Sequence, residues 1–176
     1  MIGNAIKEAR EEKGFTQKYL GEASCLSQKT ISAIETCRRS ITQENLKNIC
    51  NELNNPIVYM ETINEMCGDA FSLQWLDGDA ADLHRASVKE KVMEELKEAI
   101  ESIHSAKVYN MPKTCKNEDL KLILKSIQDT IDVYKGSAIY IAVMCREYGV
   151  DIRGMFRIQK QKLINKGYLK SDNVAK

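Results

Sequence analysis

Cysteine and histidine are the residues here best suited to metal ligation, nucleophilic attack or proton transfer near neutral pH. Their placement does not support such chemistry. Cys25, Cys37, Cys50, Cys67, Cys115 and Cys145 are scattered, with no C-x-x-C pair, the spacing through which zinc sites usually announce themselves. His84 and His104 stand apart with no paired carboxylate or cysteine motif, and no glycine-rich loop is suited to cradle a phosphate. The expectation is a chain that is not an enzyme and needs no metal or cofactor. Its cysteines read as free thiols, several of them buried, in a reducing compartment. What remains is recognition through hydrogen bonds, charge and apolar contact, and that depends on the elements that hold the side chains.

Those elements read as helices. Only Pro56 and Pro112 interrupt the chain, and single glycines punctuate long periodic stretches. The 176 residues allow one generous domain or two small ones. Met1 to Arg10 alternates apolar and charged residues, unlike a signal peptide. No apolar run approaches the roughly 18–20 residues of a membrane span. A cytoplasmic protein with no membrane partner is expected.

Ile2, Ala5, Ile6 and Ala9 place an apolar stripe on a helix over residues 2–13, ended by Gly14. Thr16 is placed to cap a short helix over 17–23 with Leu20 inward, and Ser24-Cys25-Leu26 breaks the pattern. Ser27 then caps a third helix over 28–35. Its Ile31 and Ile34 face the core, leaving Gln28, Lys29, Ser32 and Ala33 outside. Thr42 caps a fourth, with Leu46, Ile49, Cys50 and Leu53 as its stripe, and Asn55-Pro56 opens a fifth. Two short helices joined by a tight turn and braced on either side can lay one helix in a major groove.

With Arg10, Gly14-Phe15-Thr16-Gln17, Leu20, Leu26-Ser27, Ile31, Ile34-Glu35, Arg38-Arg39 and Leu46 to Leu53 in these places, residues 2–55 resemble the lambda repressor/Cro-like (XRE-type) helix-turn-helix family. The resemblance implies a five-helix DNA-binding domain over residues 1–66 and double-stranded DNA as partner. It implies contacts from Gln17, Lys18, Ser27, Gln28, Lys29, Thr30, Ser32, Arg38 and Arg39. Gln17 would present its amide to a phosphate at a helix N-terminus. Gln28 has the shape for adenine N6 and N7, and Lys29 for guanine O6 and N7. Thr30 or Ser32 would meet a phosphate or a thymine methyl, and Arg38 and Arg39 the backbone of the neighbouring strand. Glu35 reads as a structural brace. Three positions depart from the family: Gly21 stands where alanine is usual, and Cys25 and Cys37 replace two turn glycines. Glycine in a helix costs about 1 kcal/mol relative to alanine, and a cysteine at positive φ about 1–2 kcal/mol. The two cysteines flank the third helix, but no neighbouring feature supports a redox role.

Charge alone does not point to DNA. Residues 1–66 carry net −1, residues 67–119 net −4 and residues 120–176 net +6. Residues 67–86 read as a connector, with acids at 69, 77, 79 and 82 and with Phe71, Leu73, Trp75 and Leu76 expected to dock. Ser87 to Glu90 reads as a capping box ahead of a long helix striped by Val88, Val92, Leu96, Ala99, Ile100 and Ile103. Asn117 opens another, with Leu120, Ile123, Leu124, Ile127, Ile131 and Tyr134, expected to stop at Gly136. Further helices are expected over 138–148 and 153–166, the last rich in basic residues that read as a solvated face. The fold class is therefore all-α, with residues 87–176 as a helical dimerisation or regulatory domain. Val92, Leu96, Ile100, Ile103, Leu124, Ile127 and Ile131 are its candidate dimer contacts. It reads as too helical and too short for the β-rich self-cleaving domain of some repressors. The expected function is a sequence-specific repressor, dimeric on an inverted repeat. The alternative is a regulator whose C-terminal helices bind a protein or peptide.

Overall fold

A computed structural model describes residues 1–76, 78–109 and 111–170. Asp77 of the connector and the last six residues of segment 87–176 lie outside the described residues. Among the described residues the chain forms helices and no strand. They are α1 (Ile2–Glu12), α2 (Gln17–Ala23), α3 (Gln28–Glu35), α4 (Gln43–Leu53), α5 (Pro56–Cys67), α6 (Arg85–Ser105), α7 (Asn117–Glu147) and α8 (Ile152–Asn165), with a 3-10 turn at Pro112–Thr114. No helix of the described residues is long and apolar enough to cross a membrane.

Local chemistry sets the first five helices. Thr16 Oγ1 accepts from the Tyr19 amide (3.0 Å), Ser27 Oγ from Thr30 (3.1 Å) and Thr42 Oγ1 from Asn45 (3.4 Å). Asn55 Oδ1 accepts from Ile57 (2.9 Å) and Val58 (3.3 Å), satisfying amides that have no partner inside the helix. Gly14 leaves α1 at φ 67° and Asn54 leaves α4 at φ 41°, both left-handed exits. The apolar stripes then meet: Ile6, Leu20, Ile31, Ile49, Leu53 and Val58 are fully buried in one cluster.

The described residues divide into two compact units, residues 1–72 with 145–170, and residues 73–144. The sequence grouped residues 87–176 together, whereas the structure gathers residues 145–170 with the N-terminal helices. Three polar contacts make the connection within that unit. Arg146 NH2 donates to Glu12 Oε1 (2.6 Å), Asn54 Nδ2 to Asp151 Oδ1 (2.6 Å) and Arg153 NH1 to Asn51 Oδ1 (2.7 Å). Ile152 is buried at the start of α8. Such long-range pairs leave no periodic trace in sequence.

In the other unit, two expected boundaries move. Gly136 does not end a helix, because α7 runs unbroken for 31 residues. A methyl at Gly136 would lie 3.4 Å from Val92 Cγ2 and 3.9 Å from Glu95 Cγ, ordinary contact distances, so Gly136 sits on the face of α7 that α6 packs against. Helix α6 starts earlier than expected, with His84 as cap: its Nδ1 accepts from the Ala86 amide (3.3 Å). Ser87 lies inside the first turn, and its hydroxyl instead bonds Asp82, which also accepts from the His84 amide (2.9 Å). Those hydrogen bonds hold the Asp82 carboxyl below its ordinary range. The connector docks only in part: Leu73 is buried, but Phe71 (at φ 55°) and Leu76 are exposed.

Candidate nucleic-acid interface

The interface is framed by a buried charge. Glu35, at the end of α3, is 3% exposed. Its Oε1 accepts from Arg10 Nε (2.6 Å) and its Oε2 from Arg10 NH2 (3.1 Å), a two-pronged pair between α1 and α3. Arg10 NH1 also donates to the Phe15 carbonyl (2.8 Å), fixing the loop between α1 and α2. The pair holds the Arg10 pKa above its ordinary value. A buried carboxylate without such a partner would be costly, so Arg10 and Glu35 lock three segments together. Gln17 extends this network, because its Nε2 donates to Glu35 Oε2 (2.8 Å). That bond sets the orientation of the Gln17 amide at the N-terminus of α2. Glu35 is a brace as the family resemblance implies, but its tie to Gln17 spans 18 positions and leaves no local pattern in the sequence.

The turn between α2 and α3 is tight. Leu26 N donates to Gly21 O (2.7 Å), with Cys25 between them at φ 60°. A methyl on Gly21 would lie 2.8 Å from Leu26 O and 3.2 Å from Gln28 N. Gly21 therefore lets α3 approach α2, which reverses its reading as a simple loss of helix propensity. At the other end of α3, Cys37 takes φ 55°, and Arg38 N and Arg39 N both donate to Ala33 O (2.9 and 3.2 Å). Positive φ at both cysteines follows the expectation from their replacement of turn glycines.

On the outer side of this frame a shallow depression is lined by Gln17, Gln28, Lys29, Ser32, Ala33, Thr36 and Arg38. Five of the nine sequence-designated contact residues thus share one surface. Thr36 is an addition, with its hydroxyl donating to Ser32 O (2.7 Å); its spacing four residues beyond Ser32 was the available signal. The other four designated residues lie outside that lining. Ser27 Oγ is engaged by the Thr30 amide and lies 2.9 Å from Thr30 Oγ1. Arg39 NH1 reaches Thr30 Oγ1 at 3.5 Å. Lys18 lies 3.9 Å from Glu22, and both are exposed.

The weak net charge of the N-terminal segment conceals a local bias. Residues 16–40 hold Lys18, Lys29, Arg38 and Arg39 against Glu22 and Glu35, and Glu35 is neutralised inside by Arg10. The surface around α3 is therefore cationic, while Glu8, Glu11, Glu12, Glu44, Glu52, Glu61 and Glu65 belong to α1, α4 and α5.

Residues 6–60 match a family model described as helix-turn-helix. This segment is an XRE-type helix-turn-helix domain, of a family of DNA-binding regulators, and among the described residues the regular structure is all helical. The remainder of the chain has no family match. No curated protein and no solved structure matches the chain.

Proposed function

We propose that this protein is a sequence-specific transcriptional repressor that reads an inverted repeat in double-stranded DNA as a homodimer. The observation that carries the reading is the surface shared by Gln17, Gln28, Lys29, Ser32 and Arg38 around α3. It joins side chains suited to base edges with side chains suited to phosphates, on a frame braced by the Arg10–Glu35 pair. One short helix reads only a few base pairs, which a genome offers in great excess. A second domain in the same particle makes the second contact effectively intramolecular. The expected half-sites lie about 34 Å apart, one helical turn.

Binding-site selection with the full chain tests this. An inverted repeat should emerge, and Gln28→Ala/Lys29→Ala should relax preference within each half-site, at a cost of about 1–3 kcal/mol for each base interaction removed. Recovery of the wild-type motif at wild-type affinity by the double variant would remove α3 from the reading role. A reporter driven from the selected repeat should be silenced by the protein; activation would reverse the regulatory sign.

A further inference from the structure

Helices α6 and α7 are joined along their smaller and more polar faces. Val92 meets Gly136, the Ser102 hydroxyl lies beside the Asp129 carboxylate, and Lys107 Nζ lies 3.2 Å from Asp119 Oδ1. Ala99, Ser102, Ser126, Asp119 and Asp129 are buried in this unit. Val88 and Ile139 are buried as well, but a separate series of larger apolar residues is left exposed. On α6, Met93, Leu96, Ile100 and Ile103 follow steps of three, four and three residues; on α7, Leu124, Ile127, Ile131 and Tyr134 do the same. Each keeps between 37% and 67% of its surface exposed. Burial of the polar face beside exposure of the apolar one is the reverse of a complete helical core.

The two stripes are in register. The antiparallel contacts at Val92–Gly136, Ser102–Asp129 and Lys107–Asp119 place Met93 level with Tyr134, Leu96 with Ile131, Ile100 with Ile127 and Ile103 with Leu124. They form four rungs; in the same spacing Lys89 precedes Met93 on α6, and on α7 the apolar series continues to the exposed Leu120. The three-four spacing is that of knobs-into-holes packing between helices crossing at about 20°.

We infer that this face is covered by a second copy of the chain, the two α6–α7 hairpins forming a four-helix bundle whose core is the four rungs. Two observations select that occupant. A two-fold axis lays a ladder of evenly spaced rungs onto its own copy, so the patch is complementary to itself. Its exposed area, on the order of 700–800 Å² per copy, is what each partner contributes to a standard stable interface. Val92 is not part of this face because it meets Gly136, whereas Met93 and Tyr134 are. This rests on the dimeric reading proposed for the DNA-binding function, and supplies the surface that reading requires.

The test is the mass of the full chain in solution without DNA, by size-exclusion chromatography with light scattering. At micromolar concentration the protein should have twice its 20.0 kDa chain mass. Ile100→Glu/Ile127→Glu should halve that mass while circular dichroism retains the helical signal. A variant with Ile100→Lys/Ile127→Lys should likewise be monomeric, and mixing the two should restore the doubled mass, since unlike charges then meet across the rung. A monomeric wild-type protein, a dimer indifferent to both substitutions, or a mixture that stays monomeric would overturn the proposal. So would a monomer that binds a different host protein through these residues. Because no DNA is present, failure here leaves binding by α3 untouched, and failure of site selection leaves the bundle untouched.

Discussion

Gly21 separates two energetic effects of opposite sign. Helix propensity alone makes Gly21→Ala favourable by about 1 kcal/mol. The added methyl would instead meet the Leu26 carbonyl oxygen at 2.8 Å, and a backbone atom cannot swing aside as a side-chain tip can. We expect Gly21→Ala to destabilise the domain by about 1–2 kcal/mol, as overpacking does; a raised melting temperature would refute this close approach. Cys25 and Cys37 invert the case, because their φ values of 60° and 55° suit glycine. Cys25→Gly and Cys37→Gly should each stabilise by about 0.5–1 kcal/mol, the relief of left-handed strain less the greater entropy of the unfolded glycine chain. Denaturant titration of each variant reads this directly. Serine at 27 is engaged locally, so Ser27→Ala is expected to cost about 1 kcal/mol of stability through removal of a helix cap.

The contacts of α8 illustrate how one element is held by chemistry far away in sequence. Asp151 precedes the helix and accepts from Asn54 at the left-handed end of α4. That hydrogen bond, helped by backbone amides at the helix start, holds the Asp151 carboxyl below its ordinary range. A depressed carboxylate contributes stability that is present above its unfolded pKa of about 3.9 and is lost as pH falls through the folded value. Amide-exchange protection of α8 should therefore hold near neutrality and weaken in acid, whereas Asp151→Asn should lack that carboxylate-dependent acid step. An identical acid profile in the variant would assign the loss to other groups. Gly136 carries the same lesson in α7: it lies inside the helix, opposite Val92, where order along the chain suggested an end.

For the molecule as a whole, the proposed dimer changes what a single substitution does to DNA binding. Each copy supplies Arg38 and Arg39, so deleting one phosphate-binding side chain from the sequence deletes two from the complex. Arg38→Ala/Arg39→Ala should weaken binding to all sequences alike. The slope of log affinity against log salt should fall by about one unit per arginine–phosphate pair removed, and so by about four for the double variant on a dimer in which every arginine reaches a phosphate. Ile100→Glu/Ile127→Glu should lose the preference for paired half-sites while retaining the weaker single-site binding. An unchanged salt slope in the arginine variant would move both residues off the DNA.

Most helix boundaries were legible in the sequence because capping is local. Thr16, Ser27, Thr42 and Asn55 each meet an amide two or three residues ahead, a distance that residue order alone specifies. The core stripes of α1 to α5 were legible for a related reason, since helical period dictates which residues share a face. The places where reading failed depend on a partner that is distant in sequence or displaces the expected cap. Gly136 looked like a terminator until Val92 stood opposite it. Ser87 looked like a cap until Asp82 engaged its hydroxyl and His84 took its place. Residues 145–170 looked like the end of the C-terminal bundle until Glu12, Asn51 and Asn54 held them to the N-terminal unit. Periodicity identifies the apolar stripes on α6 and α7; only tertiary packing decides which face is spent inside the hairpin and which remains exposed, because two helices bury only the strip along which they touch.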